Sequence, residues 1–531
     1  MSVIGNPLII GSTGGGGESV TVTDTTDTAG GTIRTITTTQ GTPVIQASKA
    51  VTINSNGTTT VTPDTGMTTM GQVVVTTNVS GGGTTEAPDN DVIFIDYDGK
   101  IVYSYSAAEF ANLSALPANP SHEGLTAQGW NWTLSDAKDY VATYGGQIIG
   151  QNYIPTDGKT HLFGYLPKNL GPFYIGLAID GSVTIDWGNN FTATTVAGSS
   201  LSTVIYTQVP YTDYWGNFEI KISVNSGSFA ILATSGTGTN MSALFRVSQN
   251  AITSTYDSAA CQYILNEAWI GANCIIGNYA FSQHRNLASV SLPTQLTFDT
   301  ACTQSFASCY SLGAIIIPSG KTSILGVAKY SLCKYLSLPK TTTTFDSSYP
   351  LALYRATKLF LSPDITSLGA YFAGAGQLVH LKLPPITSLN NSYMFQNCNS
   401  LRNIDIPNTI TNTTLGSNIF QACYRLTSVN IPSVIKTIGS SAFAGCRSLT
   451  EITIPSAVTS ISTSAFSECT SLQEMHFERT TPPSVANSNA FTNLPTTCTI
   501  YVPYSADHSV LAAYTSASNY PSNLTYTYVE E

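Results

Sequence analysis

The chain has 531 residues, only 10% of them charged, 43 glycines and a net charge of −10. That length leaves room for several domains. The acidic balance offers no basic stripe to meet phosphates, which argues against nucleic-acid binding, and no apolar run reaches the roughly 18 residues of a bilayer span. Sparse charge with abundant Gly, Thr and Ser suits an all-β extracellular or virion protein rather than a cytosolic enzyme. Met1 to Gly11 lacks a basic segment and has too short an apolar run for a secretory signal. Release by a route other than general secretion, such as lysis, is therefore expected.

Residues 1–90 are rich in Gly and Thr. Gly14 to Gly17 and Gly81 to Gly83 read as joints. Val20 to Thr23 and Thr32 to Thr37 alternate as strands do. Val61 to Thr76 carries Pro63-Asp64-Thr65-Gly66, then Gly71 and Val73-Val74-Val75. It resembles a short β-module common in phage tail proteins. Ile4-Gly5-Asn6-Pro7-Leu8-Ile9-Ile10-Gly11 is similar to the start of phage structural proteins. These resemblances imply an attachment region that contacts other virion proteins.

Residues 91–170 read as a small α+β domain. Ile93 to Tyr105 is a hairpin turning at Asp98-Gly99. Ser106 and Glu109 form a capping box that opens a short helix. A second helix follows Thr133, with Leu134, Ala137, Tyr140, Val141 and Tyr144 on one face and Gly145 as its stop. Trp130 and Trp132 fit a sugar platform or, better, the core of this domain. The block resembles segments that precede repeats in gut-phage proteins.

Residues 171–235 read as a β-sandwich. Gly181 to Asn189, with Asp186-Trp187-Gly188, resembles the turn of PKD-like (immunoglobulin-like) domains, and Tyr211 to Ile222 resembles their closing strands. Asn189 stands where that family has an Asp, so no bound cation is expected and Asp186 is expected to brace its own turn.

From Ala280 to Glu478 the chain repeats itself. The template is A-F-x-x-C-x-x-L-x-x-h-x-h-P, with h apolar. It closes at Pro293, Pro318, Pro339, Pro384, Pro407, Pro432 and Pro455, at intervals in the low twenties or twice that. A fixed period of this size marks a solenoid. Each L-x-x-h-x-h is a short strand with alternate residues inward, and the proline stops it for want of an N–H. Phe281, Phe306, Phe372, Phe395, Phe420, Phe443, Phe466 and Phe491 are expected to stack as a core column. Cys309, Cys398, Cys423, Cys446 and Cys469 share one repeat position and are expected to be reduced, buried thiols. The pattern, over roughly residues 260–500 of a solenoid domain spanning 236–500, resembles the BspA-type leucine-rich repeat of bacterial surface proteins and of phages that infect gut bacteria. Residues 501–531, with a helix around Ser509 to Ser516, resemble the closing cap of such arrays.

No G-x-S-x-G, P-loop or G-x-G-x-x-G is present, and the six histidines lack metal spacing. No catalytic residue, metal or cofactor is expected. The residue between the two apolar strand positions points away from the core: Ser291, Ile316, Ser337, Phe360, Lys382, Asp405, Asn430, Thr453 and His476 in order. Phe360, Lys382, Asp405, Asn430, Thr453 and His476 are the candidate binding residues on this face. The fold expected is mainly β and multidomain: N-terminal β-modules, a small α+β unit, an immunoglobulin-like sandwich and a leucine-rich-repeat solenoid. By resemblance, the chain is expected to be a virion fibre or appendage protein, a homo-oligomer such as a trimer, whose solenoid binds a bacterial surface protein or glycan. A BspA-like bacterial adhesin is the alternative, and a virion-associated glycan depolymerase a further one.

Overall fold

The computed structural model describes, with side chains, residues 91–167, 173–211, 214–232, 244–246, 261–295, 305–321, 331–343, 355–366, 368, 372–522 and 524–527, and elsewhere the backbone of certain strands alone. The chain is mainly β, 8% helical, and ends in a solenoid of about 10 turns. It divides into two compact units: Met1–Asp89 with Leu166–Asn169 and Tyr214–Gly216, and the remainder.

In the first unit, Thr- and Val-rich alternation yields β1 (Ile9–Gly11), β2 (Val20–Thr26), β3 (Thr32–Thr38), β4 (Val44–Ile53) and β5 (Thr58–Pro63). They form one sheet in the order β1-β4-β5-β2-β3. The glycine joints and the module beyond Pro63 lie outside the described residues.

The second unit begins with a four-stranded sheet: β6 (Val92–Ile95), β7 (Ile101–Tyr105), β8 (Leu125–Trp130) and β9 (Gln147–Pro155), in the order β7-β6-β9-β8. The capping box forms as expected: Ser106 Oγ accepts from Glu109 N, and the Glu109 carboxylate accepts from Ser106 N. It opens α1 (Ala107–Ala111). Thr133 caps α2 (Leu134–Tyr144), which stops at Gly145. Alternation divides the sheet's two faces. Val92, Phe94 and Ile149 pack with Phe110, Trp132, Ala137, Tyr140 and Val141 under the helices. Ile93, Ile95, Ile148 and Tyr153 point the other way, into a core shared with Ala314, Ile316 and Tyr335 of the solenoid. Trp132 is thus core.

Next come β10 (Thr160–Leu166) and three long strands, β11 (Tyr174–Asp186), β12 (Thr194–Gln208) and β13 (Gly216–Ile231). Where an immunoglobulin-like sandwich is expected at 171–235, the three long strands belong to one nine-stranded sheet, ordered β12-β11-β13-β10 with β11 between β12 and β13, and continuing into the first solenoid strands, Leu265–Trp269 and Ser289–Ser291. Gly181, which reads as the lead-in to a turn, is mid-strand: it faces Gly198 on one side and Gly227 on the other. The backbones close in at this row. A Cβ on Gly227 would lie 1.8 Å from Asp180 O, and its φ is +69°, so only glycine fits. The Asp186 turn does form, with Asp186 Oδ1 accepting from Gly188 N at 2.9 Å, and the Tyr211 hydroxyl donates to Trp187 O. Buried His161 ties β10 to β13, with Nδ1 2.8 Å from Glu219 Oε1 and Nε2 2.8 Å from Asp157 Oδ1.

In the solenoid, successive units pair in parallel, as His380–Lys382 does with Asn403–Asp405 and Glu451–Ile454 with Glu474–Phe477. The phenylalanines stack as expected. From Phe372 to Phe466 successive ring centroids are 5.3 to 5.5 Å apart. The nine described cysteines are free and buried. The thiols at the shared repeat position reach back one unit: Cys398 Sγ donates to Phe372 O, Cys423 to Phe395 O, Cys446 to Phe420 O and Cys469 to Phe443 O, at 3.1 to 3.2 Å. Burial pushes the Cys398 and Cys469 thiols up to about 12. The cysteine thus adds a second donor to a buried carbonyl that already accepts from a backbone N–H, as Phe420 O does from Cys423 N at 3.2 Å. A helix, α3 (Ser509–Thr515), closes the array, with Tyr514 packed on Phe477 and Tyr520.

Candidate functional site: the outward strand face

The inner residues of the strands are fixed by the core. Leu381, Ile404, Ile452 and Met475 are all buried at 5% or less. Function is left to the residues between them, and the structure treats two parts of that row differently.

Over the first units the face is covered by the small α+β domain. Ser291 Oγ donates to Tyr153 O at 3.2 Å. Ile316 lies directly beneath Gly150, where a Cβ would be 2.4 Å from Ile316 Cγ2. Ser337 Oγ donates to Ile148 O at 2.7 Å and accepts from Asn131 Nδ2 at 3.0 Å. Trp132 Nε1 donates to Leu338 O at 2.7 Å, and the Tyr140 hydroxyl to Leu361 O at 2.6 Å. Phe360, expected on a free face, packs against both cores of the small domain. Lys382 sits at the boundary: its Nζ donates to Thr143 O at 2.6 Å and lies 5.5 Å from the Tyr144 ring centroid. Phe360 is not a free binding residue, because the small sheet needs an apolar floor and this stretch of the solenoid supplies it; Lys382 is exposed and only its amine is tied to the small domain.

Beyond Lys382 the face is open. Asp405, Asn430 and Thr453 are exposed. Parallel register sets Lys382 beside Asp405, Thr453 beside His476 and His476 beside Tyr501. The His476 and Tyr501 rings stack at 4.5 Å with planes 3° apart. A second column runs alongside, placing His380 beside Asn403 and Glu451 beside Glu474. Glu474 Oε2 lies 3.0 Å from His476 Nε2. Two carboxylates directly opposite each other on a pleat work against folding. The open face thus offers carboxylates, amide, hydroxyl and a stacked aromatic pair, a set suited to recognition. Among the described residues no three His, Cys, Asp or Glu side chains converge to hold a metal ion.

The family described as BspA type leucine-rich repeat region matches residues 270–372 and 390–517, in six copies. These residues are BspA-type leucine-rich repeats. No curated protein matches the chain. Among solved structures, a leucine-rich repeat protein from Bacteroides ovatus ATCC 8483 is similar at 18% identity, covering 50% of this chain and 83% of its own, with a TM-score of 0.27. A leucine rich cell surface protein from Faecalibacterium prausnitzii A2-165 is similar at 19% identity, over 50% of this chain and 85% of its own, with a TM-score of 0.28. The pneumococcal vaccine antigen PcpA is similar at 17% identity, over 48% of this chain and 66% of its own, with a TM-score of 0.30.

Sequence reasoning missed the cover over the first BspA-type units and missed Tyr501 as the partner of His476. The first had a signal. Val92-Ile93-Phe94-Ile95 is a continuous apolar run and is buried throughout, which marks a strand covered on both faces. Helices cover one face, so the other needed a floor, and Ile316 and Phe360 are the apolar members of the outward row.

Proposed function

We propose that this chain is a non-catalytic adhesin whose BspA-type repeats present the open strand face, from Asp405 to Tyr501, to a bacterial surface protein or glycan. One observation carries this: the same face already serves as an interface within the chain. Where its outward residues are small or apolar, the small domain covers it. Where they turn polar and aromatic, a similar pleated surface lies bare. A long row of modest contacts repeated over several copies yields avidity without any single strong site.

The experiment is binding of the full chain to whole bacterial cells. It is compared with a variant carrying Asp405→Ala, Asn430→Ala, Thr453→Ala and His476→Ala. These positions avoid the core, so melting is expected to change little while binding falls at least about tenfold. Equal binding by the variant would remove this face from the proposal. Attachment of residues 1–90 to other virion proteins, assembly as a trimer and residence on a particle are separate proposals, supported only by the resemblances within residues 1–170. Particle fractionation and light scattering test them directly.

A further inference from the structure

The turn that leads into each strand carries its own charge pattern. It spans four residues: two after the cysteine position, the leucine position (Cys333 and Ala356 in two of the units) and one more. Across ten successive turns (263–266, 285–288, 310–313, 331–334, 354–357, 376–379, 399–402, 424–427, 447–450 and 470–473) there is no Asp or Glu. The same turns hold Arg285, Lys334, Arg355, Arg402, Arg425 and Arg447. The chain as a whole has 31 acids against 21 bases, so this rim runs against its own background.

Three of these arginines, Arg402, Arg425 and Arg447, come from three consecutive units and are exposed. Among the described residues none of the three makes an ion pair. Tyr424 lies among them, 40% exposed, with the Arg447 guanidinium 5.0 Å from its ring centroid. The arrangement recurs earlier on the same rim, where Arg285 lies 5.7 Å from the Tyr263 ring and 5.3 Å from that of Tyr310. A guanidinium stacked on a ring keeps its N–H edge outward, in the fork that fits a carboxylate or phosphate. Tyrosine adds a flat platform for a sugar ring. Parallel units stack at about 4.8 Å, close to the length of one sugar residue; the arginines hold the last, second and first positions of their turns, so each of three units offers one cation without a strict ladder.

We infer that the rim formed by Arg402, Tyr424, Arg425 and Arg447 binds a linear acidic polysaccharide laid along the solenoid axis, with its anionic groups meeting successive units. The rim is a different surface from the strand face, so either can fail alone. Uronate carboxylates and sugar phosphates share the chemistry required.

The test uses the full chain with polygalacturonate, a phosphodiester-linked mannan, neutral dextran and oligothymidylate as probes. Binding to at least one acidic polysaccharide and none to dextran is expected, and the preferred polymer names the source of the charge. Combined Arg402→Ser, Arg425→Ser and Arg447→Ser should weaken that binding at least about tenfold, because linked contacts are lost together. The corresponding triple Lys variant, which keeps the charge but loses the fork, should fall between. Tyr424→Ala should weaken polysaccharide binding by about threefold and leave the melting curve unchanged. The strand-face variant described above should bind the polymer as the parent does. The inference is overturned if neither acidic polysaccharide binds or if the triple Ser variant binds as tightly as the parent. Oligothymidylate binding as tightly, with no dependence on Tyr424, would also overturn it, since that is attraction for any polyanion.

Discussion

The two halves of the solenoid's outward face share a backbone and differ in fate. From Ser291 to Phe360 the outward residues are Ser, Ile, Ser and Phe, and the small α+β domain lies on them. From Asp405 to His476 they are Asp, Asn, Thr and His, and nothing in the second unit covers Asp405, Asn430 or Thr453. The inward residues hardly change between the halves. What makes a unit part of the stack is therefore separate from what decides how its outer side is used. The repeat template records the first and is silent on the second. One outward side chain per unit, every twenty-odd residues, assigns a stretch of face to an internal partner or leaves it for an external one.

The sharpest way to break this comparison is to exchange its outward residues. Ser337 is fully buried between Asn131 and Ile148 O. Ser337→Asp places a carboxylate there with a carbonyl oxygen as neighbour and no cation among its described partners. The expected loss is about 3 kcal/mol or more, read as a large drop in the urea midpoint. A midpoint within experimental error of the parent would mean that the small domain does not bear on this face.

The covered half also carries a weakness to acid. His284 occupies the repeat position that is cysteine in the units of Cys398 to Cys469, and burial pushes its imidazole down from 6.5 to about 3. The unfolded chain takes up a proton near pH 6.5 and the folded chain does not. Stability from this group is thus complete above about pH 6.5 and declines as pH falls toward 3. At pH 4.5 the loss is about 2 to 3 kcal/mol as an upper figure. His284→Cys is expected to flatten the stability profile between pH 7 and 4.5, measured by denaturant midpoints at each pH. An unchanged profile would assign the acid sensitivity to other groups.

The sequence made the inner half of this architecture legible and the outer half only in part. Proline spacing, paired strand apolars and the A-F-x-x-C turn each report a local constraint, and the Phe column, both helices of the small domain and the capping box formed where those constraints placed them. The long strands were harder to read, because Gly181 carries two meanings in sequence: it can open a turn, or permit two strands to close on a third. Only its pairing with Gly198 and Gly227 tells them apart. Phe360 was not free because a residue that points outward from its own repeat need not face water. The partner that covers it is more than two hundred residues away in sequence, and no local period encodes that contact.

Cysteine offers a smaller and more local probe. Cys446 Sγ donates to Phe420 O at 3.2 Å and is fully buried. Cys446→Ala removes the sulfur and leaves that carbonyl without its thiol donor. About 1 to 2 kcal/mol is expected. Cys446→Ser, which keeps a donor but is smaller and more costly to bury, tests whether the hydrogen bond or the volume dominates. If Ser is no better than Ala, the thiols act as fillers and the repeated bond contributes little.

The smallest effect is the most telling. Asp405 stands on the open face, opposite Lys382 in register, and is exposed. Asp405→Ser installs the residue that the covered half carries at Ser337. With water rather than a protein layer above it, the change should alter stability by no more than about 0.5 kcal/mol in either direction. Set against Ser337→Asp, the reciprocal exchange then yields two very different numbers from the same pair of residue types on the same backbone position of the repeat. That asymmetry measures the cover itself. Similar costs at both positions would mean that Asp405 is also held by a protein surface, with a second copy of this chain as the first candidate, and a concentration-dependent melting temperature would identify it.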